Sequence, residues 1–167
     1  MIPLGLGAAA ATRVGNAVGA RDPVKTRYAS ATCLTLGTVV MFLSALTFWF
    51  LPELLTRAFT DEIAVIQMAA ALLPIAAMFQ VFDGLQVVGS GVLRGTGDTR
   101  WPAALALIGY WCVGIPIAFL LAFRLEFGPE GLWWGMTAGL GSVSILLLLR
   151  IRKRLNRPIE DLLLQEI

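Results

Sequence analysis

Asp83 has the clearest capacity for chemistry, because it sits inside an apolar stretch running from about residue 63 to 93. A carboxylate in that setting can ligate a cation through its oxygens or take up a proton. Holding a charge at the centre of a lipid-spanning helix costs about 2.5–3.5 kcal/mol on insertion scales, so it is retained where something uses it. Gln80, Gln86 and Ser90 share the same stretch. At about 100° per residue, the two glutamines fall roughly 60° to either side of Asp83, and Ser90 about 20° away. The four make one polar stripe, which must face protein or water rather than hydrocarbon. Helix–helix hydrogen bonding is the alternative use for the same side chains. The chain has no histidine, which excludes His-based acid–base catalysis, His-activated nucleophiles and His metal sites. Cys33 and Cys112 lie in apolar segments without CxxC spacing and read as small packing residues.

The elements that must position this stripe are membrane helices. Hydrophobic residues make up 57% of the chain and charged residues 14%, about half the charge of a soluble domain. Five apolar segments, at about 2–20, 31–52, 63–93, 102–123 and 131–151, are each near or above the ~20 residues that cross a ~30 Å hydrocarbon core. Punctuation falls between them. Gly19 followed by Asp22 and Pro23 reads as a stop, an N-cap and a first-turn proline. Pro52 closes the second segment, and Thr60 or Asp61 can cap the third. Gly95 and Gly97 break the chain before Asp98 or Thr99, with Pro102 in the next first turn, and Gly128, Pro129 and Gly131 separate the last two segments. Pro74 and Pro116 are candidate kinks inside long helices. The tryptophans lie mostly near segment ends, as interfacial anchors do.

Charge orients the bundle. The first, third and last connections hold Arg21, Lys25, Arg27, Arg94, Arg100, Arg150, Arg152, Lys153, Arg154 and Arg157. The other two hold Arg57 and Arg124 among Glu53, Asp61, Glu62, Glu126 and Glu130. The positive-inside rule places the ten basic residues in the cytoplasm, together with the C-terminus. Five spans ending inside then start outside, yet the first segment has no basic flank and carries Arg13, Asn16 and glycines 5, 7, 15 and 19. Such a helix needs neighbours that small residues let approach closely. Arg13 can snorkel to the interface or pair with an acidic residue. The expectation is that this sequence is the C-terminal part of a longer protein. The tail, 152–167, is basic and then amphipathic, with Ile159, Leu162, Leu163 and Ile167 on one side of a short helix opened by Pro158. It is expected to lie on the inner leaflet.

Two stretches carry a recognisable pattern. One contains Pro3, Gly5, Gly7, then Arg13-Val14-Gly15-Asn16 and Gly19-Ala20. The other runs Gln80-x-x-Asp83-x-x-Gln86 and on to Leu93-Arg94-Gly95-x-Gly97-Asp98-Thr99-Arg100. They resemble the eighth helix, and the tenth helix with its following cytoplasmic loop, of the multidrug and toxic compound extrusion (MATE) family of cation-coupled efflux transporters. Tyr110-Trp111, Gly114-Ile115-Pro116 and Gly131-Leu132-Trp133 continue the likeness through the eleventh and twelfth. The resemblance implies an all-α integral membrane fold, with five transmembrane helices forming most of the second six-helix lobe. It also implies that Asp83 helps bind the coupling ion, Na⁺ or H⁺, with Na⁺ held directly by Asp83 in a sodium-coupled member. Gln80, Gln86 and Ser90 are then candidates for the cavity wall or the cation shell. The family's seventh helix, which supplies a partner carboxylate in some members, is absent from the sequence, as is the first lobe.

The function implied is export of drug-like, often cationic, organic compounds by a multi-pass protein of the inner membrane, with no organic cofactor and no nucleic-acid partner. Its partners are the bilayer, the small organic substrate and the missing N-terminal lobe. A transport-inactive gene remnant and a lipid-linked oligosaccharide flippase are the alternatives. A flippase would show a strongly cationic cavity, and Arg13 is the one basic residue even near a span interior. A metal-dependent membrane enzyme needs clustered carboxylates on adjacent helices, whereas Asp98 falls in a loop. The Arg94–Arg100 loop lacks the Gly-Lys-Ser/Thr ending and the preceding strand of a phosphate loop, so it reads as a glycine turn followed by a cap.

Overall fold

The computed structural model describes residues 1–163, and no strand occurs among them. The helices are α1 (Ile2–Gly19), α2 (Pro23–Phe50), the short α3 (Pro52–Arg57), α4 (Ile63–Gly95), α5 (Arg100–Ile108), α6 (Ile115–Phe119), α7 (Gly128–Leu155) and α8 (Ile159–Leu163). Two π-helical turns, Gly109–Gly114 and Leu120–Arg124, join with α5 and α6 into one rod. Pro116 lacks an N–H to complete the regular ladder, and irregular turns flank it on both sides. Pro74, by contrast, sits inside an unbroken α4.

Four helices are long and apolar enough to cross a membrane: Pro23–Phe50, Ile63–Gly95, Arg100–Arg124 and Gly128–Leu155. The fifth expected span, α1, is not among them. At 18 residues it is about 27 Å long, but Arg13, Asn16 and its glycines dilute its apolar character. Its stability comes from packing, with Ala10 and Val14 fully buried against its neighbours.

Several boundaries differ from the hydropathy reading. Helix α2 starts at Pro23, as the reading of Asp22 and Pro23 as cap and first-turn proline implies, and so well before the apolar segment; Asp22 caps it by accepting the Lys25 N–H at 2.9 Å. That N–H, together with the Lys25 ammonium, holds the Asp22 carboxyl below its ordinary value against an opposing pull from desolvation. The N-cap position of α4 is Glu62 rather than Thr60 or Asp61, its side chain makes no capping hydrogen bond, and Thr60 Oγ1 accepts the Glu62 N–H at 3.2 Å. Gly128, Pro129 and Gly131 lie in the first turn of α7 instead of separating it from its predecessor.

Helix α4 is the axis of the bundle, touching α1, α2 and α7, while α7 also packs along the Arg100–Arg124 rod. Val14, Val88, Val92, Leu93, Val143 and Leu147 form the centre of the core. One of the closest crossings lies between α1 and α4, where a Cβ on Gly91 would strike the Gly7 carbonyl oxygen. Backbones approach this closely only where side chains are missing.

The tail departs from expectation. Helix α8 does begin after Pro158, but Ile159 and Leu162 are 9% and 4% exposed and belong to the core cluster. Their apolar side is satisfied by the bundle rather than by a leaflet. The Leu163 side chain and Ile167, expected on the same side, lie outside the described residues.

Candidate functional site

Helix α4 presents a different partner on each side. Gly84 and Gly37 meet across the α2 contact, through Met41 and Val88. Gly91 meets α1 at Gly7. The Phe82 carbonyl accepts the Ser144 hydroxyl of α7 at 2.8 Å. At about 100° per residue, Asp83 and Ser90 then point between α1 and the Arg100–Arg124 rod. Both are half-buried. Asp83 makes no hydrogen bond or ion pair with any other described residue, so its carboxylate oxygens are available to a cation or a proton.

The flanking glutamines are engaged elsewhere. Ser44 of α2 donates to Gln80 Oε1 at 3.3 Å. Tyr110 donates its hydroxyl to Gln86 Oε1 at 2.7 Å. The structure therefore keeps the four residues on one stripe but ties Gln80 to α2 and Gln86 to the rod, leaving Asp83 and Ser90 between them. Among the described residues, no group of three or more His, Cys, Asp or Glu side chains could enclose a metal ion. Ser90 lies two turns, about 10 Å, farther along the same helix, so a Na⁺ at Asp83 would be completed by other neutral oxygens such as water, which suits a weakly held hard cation.

Tyr110 is the residue that sequence reasoning left without a role. Its signal was weak, since a tyrosine 24 positions from Gln86 acquires meaning only once two helices are in register. Tyr110→Phe removes the donor to Gln86 and should lower stability by about 1 kcal/mol, as loss of a single hydrogen bond does. Unfolding in mild detergent measures this, and an unchanged transition would mean the contact contributes nothing.

A second polar cluster closes the basic end. Arg150 Nε donates to Asp98 Oδ2 at 2.8 Å while its guanidinium lies 4.5 Å from the Trp101 ring centre. Arg154, 2% exposed, donates to the Thr96 carbonyl at 3.0 Å. Arg27 Nε reaches the Leu155 carbonyl at 3.1 Å. These contacts gather the first, third and last basic connections at one end of the bundle. The sequence reading treated Arg150 and Arg154 only as members of a charge run. Their i, i+4 spacing, which puts both on one face of α7, was the available sign that they act together.

A structure of the eukaryotic MATE transporter AtDTX14 superposes over 96% of this chain and 37% of its own, with a TM-score of 0.84 and 32% identity. An inward-facing multidrug resistance MATE family transporter of the MOP superfamily shares the fold over 96% of the chain and 36% of its own, with a TM-score of 0.82 at 19% identity. The multidrug resistance protein NorM of Burkholderia vietnamiensis is 45% identical over 152 residues, covering 88% of the chain. A probable NorM of Brucella suis is 41% identical over 160 residues, covering 93%. The chain spans about a third of the length of these relatives, 33% and 34%. The MatE family model matches residues 1–120, the stretch that holds α1, α2, α4 and the Asp83 stripe, and the chain belongs to the MatE family.

Proposed function

We propose that this chain forms most of the second lobe of a multidrug efflux antiporter of the inner membrane, with Asp83 as its ion-coupling carboxylate and its basic end in the cytoplasm. The observation that carries the reading is Asp83 itself, a half-buried carboxylate on a membrane helix that makes no hydrogen bond or ion pair with any described residue. Binding Na⁺ or a proton there changes the charge of the cavity wall. An ion that favours one conformation of the lobes over the other shifts their balance by its difference in affinity for the two. Two lobes are needed for alternating access, so transport belongs to the longer protein. The names of the NorM relatives and the resemblance of the motifs support drug-like organic compounds as the exported class. Ser90, two turns from Asp83 on the same stripe, belongs to the cavity wall rather than to the ion's shell, whereas Gln80 and Gln86 hold the neighbouring helices in place.

The test is Asp83→Asn in the full-length protein, assayed in inverted vesicles loaded by a Na⁺ or a pH gradient. Gradient-driven efflux should fall at least about tenfold, the factor that about 1.4 kcal/mol of lost coupling produces, with membrane insertion unchanged. The gradient whose effect disappears identifies the ion. Undiminished efflux with its normal ion dependence would remove Asp83 from the mechanism.

A further inference from the structure

The outward face of α2 changes character along its length. Lys25, Tyr28, Thr32, Leu36, Val39 and Leu43 all lie within about 60° of one another's mean direction, and all are exposed. The buried side of the helix, through Thr26, Ser30, Gly37, Met41 and Ala45, lies opposite. From the basic end inward, the stripe runs from cation to hydroxyls to hydrocarbon. A shallow groove of about 400 Å³ follows it past Tyr28, Thr32, Thr35, Leu36 and Val39.

The hydroxyls on this stripe behave unlike the others on α2. Thr26, Ser30 and Thr38 return theirs to the carbonyl four residues back, at 2.8, 2.7 and 2.8 Å. The hydroxyls of Tyr28 and Thr32 bond to no described residue. Left in hydrocarbon, such donors cost free energy, and an acceptor at the membrane interface removes that cost. At the head of the groove, Lys25 shares its ammonium with the Asp22 carboxylate at 3.4 Å, yet its side chain remains 76% exposed. Arg21, exposed and held at φ 55 in the connection just before α2, adds a second cation. Across this end, the exposed Arg27, Arg152, Lys153 and Arg157 outnumber the acidic Asp22 and Glu160.

We propose that this face seats an anionic phospholipid from the leaflet at the basic end. Its phosphate meets Lys25 and Arg21, its ester oxygens accept from Tyr28 and Thr32, and an acyl chain lies along Leu36, Val39 and Leu43. The site is separate from Asp83, which lies on α4, and stands whether or not that residue couples transport.

The experiment uses the full-length protein with Cys33 and Cys112 replaced by alanine, Thr35→Cys carrying a small fluorophore, and vesicles containing brominated lipids. Brominated phosphatidylglycerol should quench the label with a three- to fivefold preference over brominated phosphatidylcholine, and salt should weaken that preference. The double change Arg21→Gln with Lys25→Gln should bring the preference to about one while leaving quenching by phosphatidylcholine intact, and Lys25→Arg should preserve it. Equal quenching by the two lipids in the unaltered protein would overturn the proposal. So would no quenching by either, which would mean that another part of the protein covers the face.

Discussion

Arg150→Met should destabilise the folded protein by about 3–5 kcal/mol, the range for stranding one partner of a buried ion pair. The asymmetry of the pair drives the expectation. Asp98 has 5% of its side chain exposed and Arg150 21%. Methionine keeps the unbranched stem of Arg150 but leaves the Asp98 carboxylate buried with no countercharge from that position. The reverse change, Asp98→Asn, leaves an arginine that still lies against Trp101 and has a route to the headgroups, so its penalty should be smaller. Combining the two changes should restore much of what Arg150→Met loses, since neither charge remains. Equilibrium unfolding of the four proteins in detergent closes this cycle. Additive losses in the double variant would mean that the two side chains do not act as a pair.

Gly91→Ala should be comparably damaging, although it adds a single methyl group. The new Cβ would strike the Gly7 carbonyl oxygen, a backbone atom of α1 that cannot swing aside as a side-chain tip can. The helices would have to separate along a seam that also joins Gly95 to Ala11 and Val14. Overpacking of this kind costs about 1–3 kcal/mol and more where backbone must move. Gly5→Ala provides the contrast, because nothing lies within 4 Å of the position its Cβ would take. There the higher helix propensity of alanine should add up to about 1 kcal/mol. Measured side by side, equal effects from the two substitutions would show that crowding at the α1–α4 crossing does not govern stability.

Hydropathy made the long helices and their alternating basic connections legible, because a bilayer imposes length and composition directly on the chain. The same logic marked α1 as unable to stand alone, from Arg13, Asn16 and its glycines. The start of α2 was legible from Asp22 and Pro23, an N-cap and a first-turn proline, although the apolar segment itself begins only near residue 31. The π turns around Pro116 were hidden: each is a backbone accommodation with no compositional mark. At the candidate site, the polar stripe on α4 could be drawn from spacing alone. Which members of it were already occupied could not, because the Ser44–Gln80 and Tyr110–Gln86 contacts depend on the register of separate helices. Arg150 and Asp98, 52 positions apart with the Arg100–Arg124 rod between them, pose the same problem.

The burial of Ile159 and Leu162 has a consequence for how the protein is made. Both residues belong to the same cluster as Ala10 and Val14 near the other end of the chain. A ribosome reaches them only after α7 has been synthesised. Until then, α1 is a weakly apolar segment whose resting place at the basic end is unfinished. Closure of this cluster thus waits on the synthesis of α8 and follows insertion of α7.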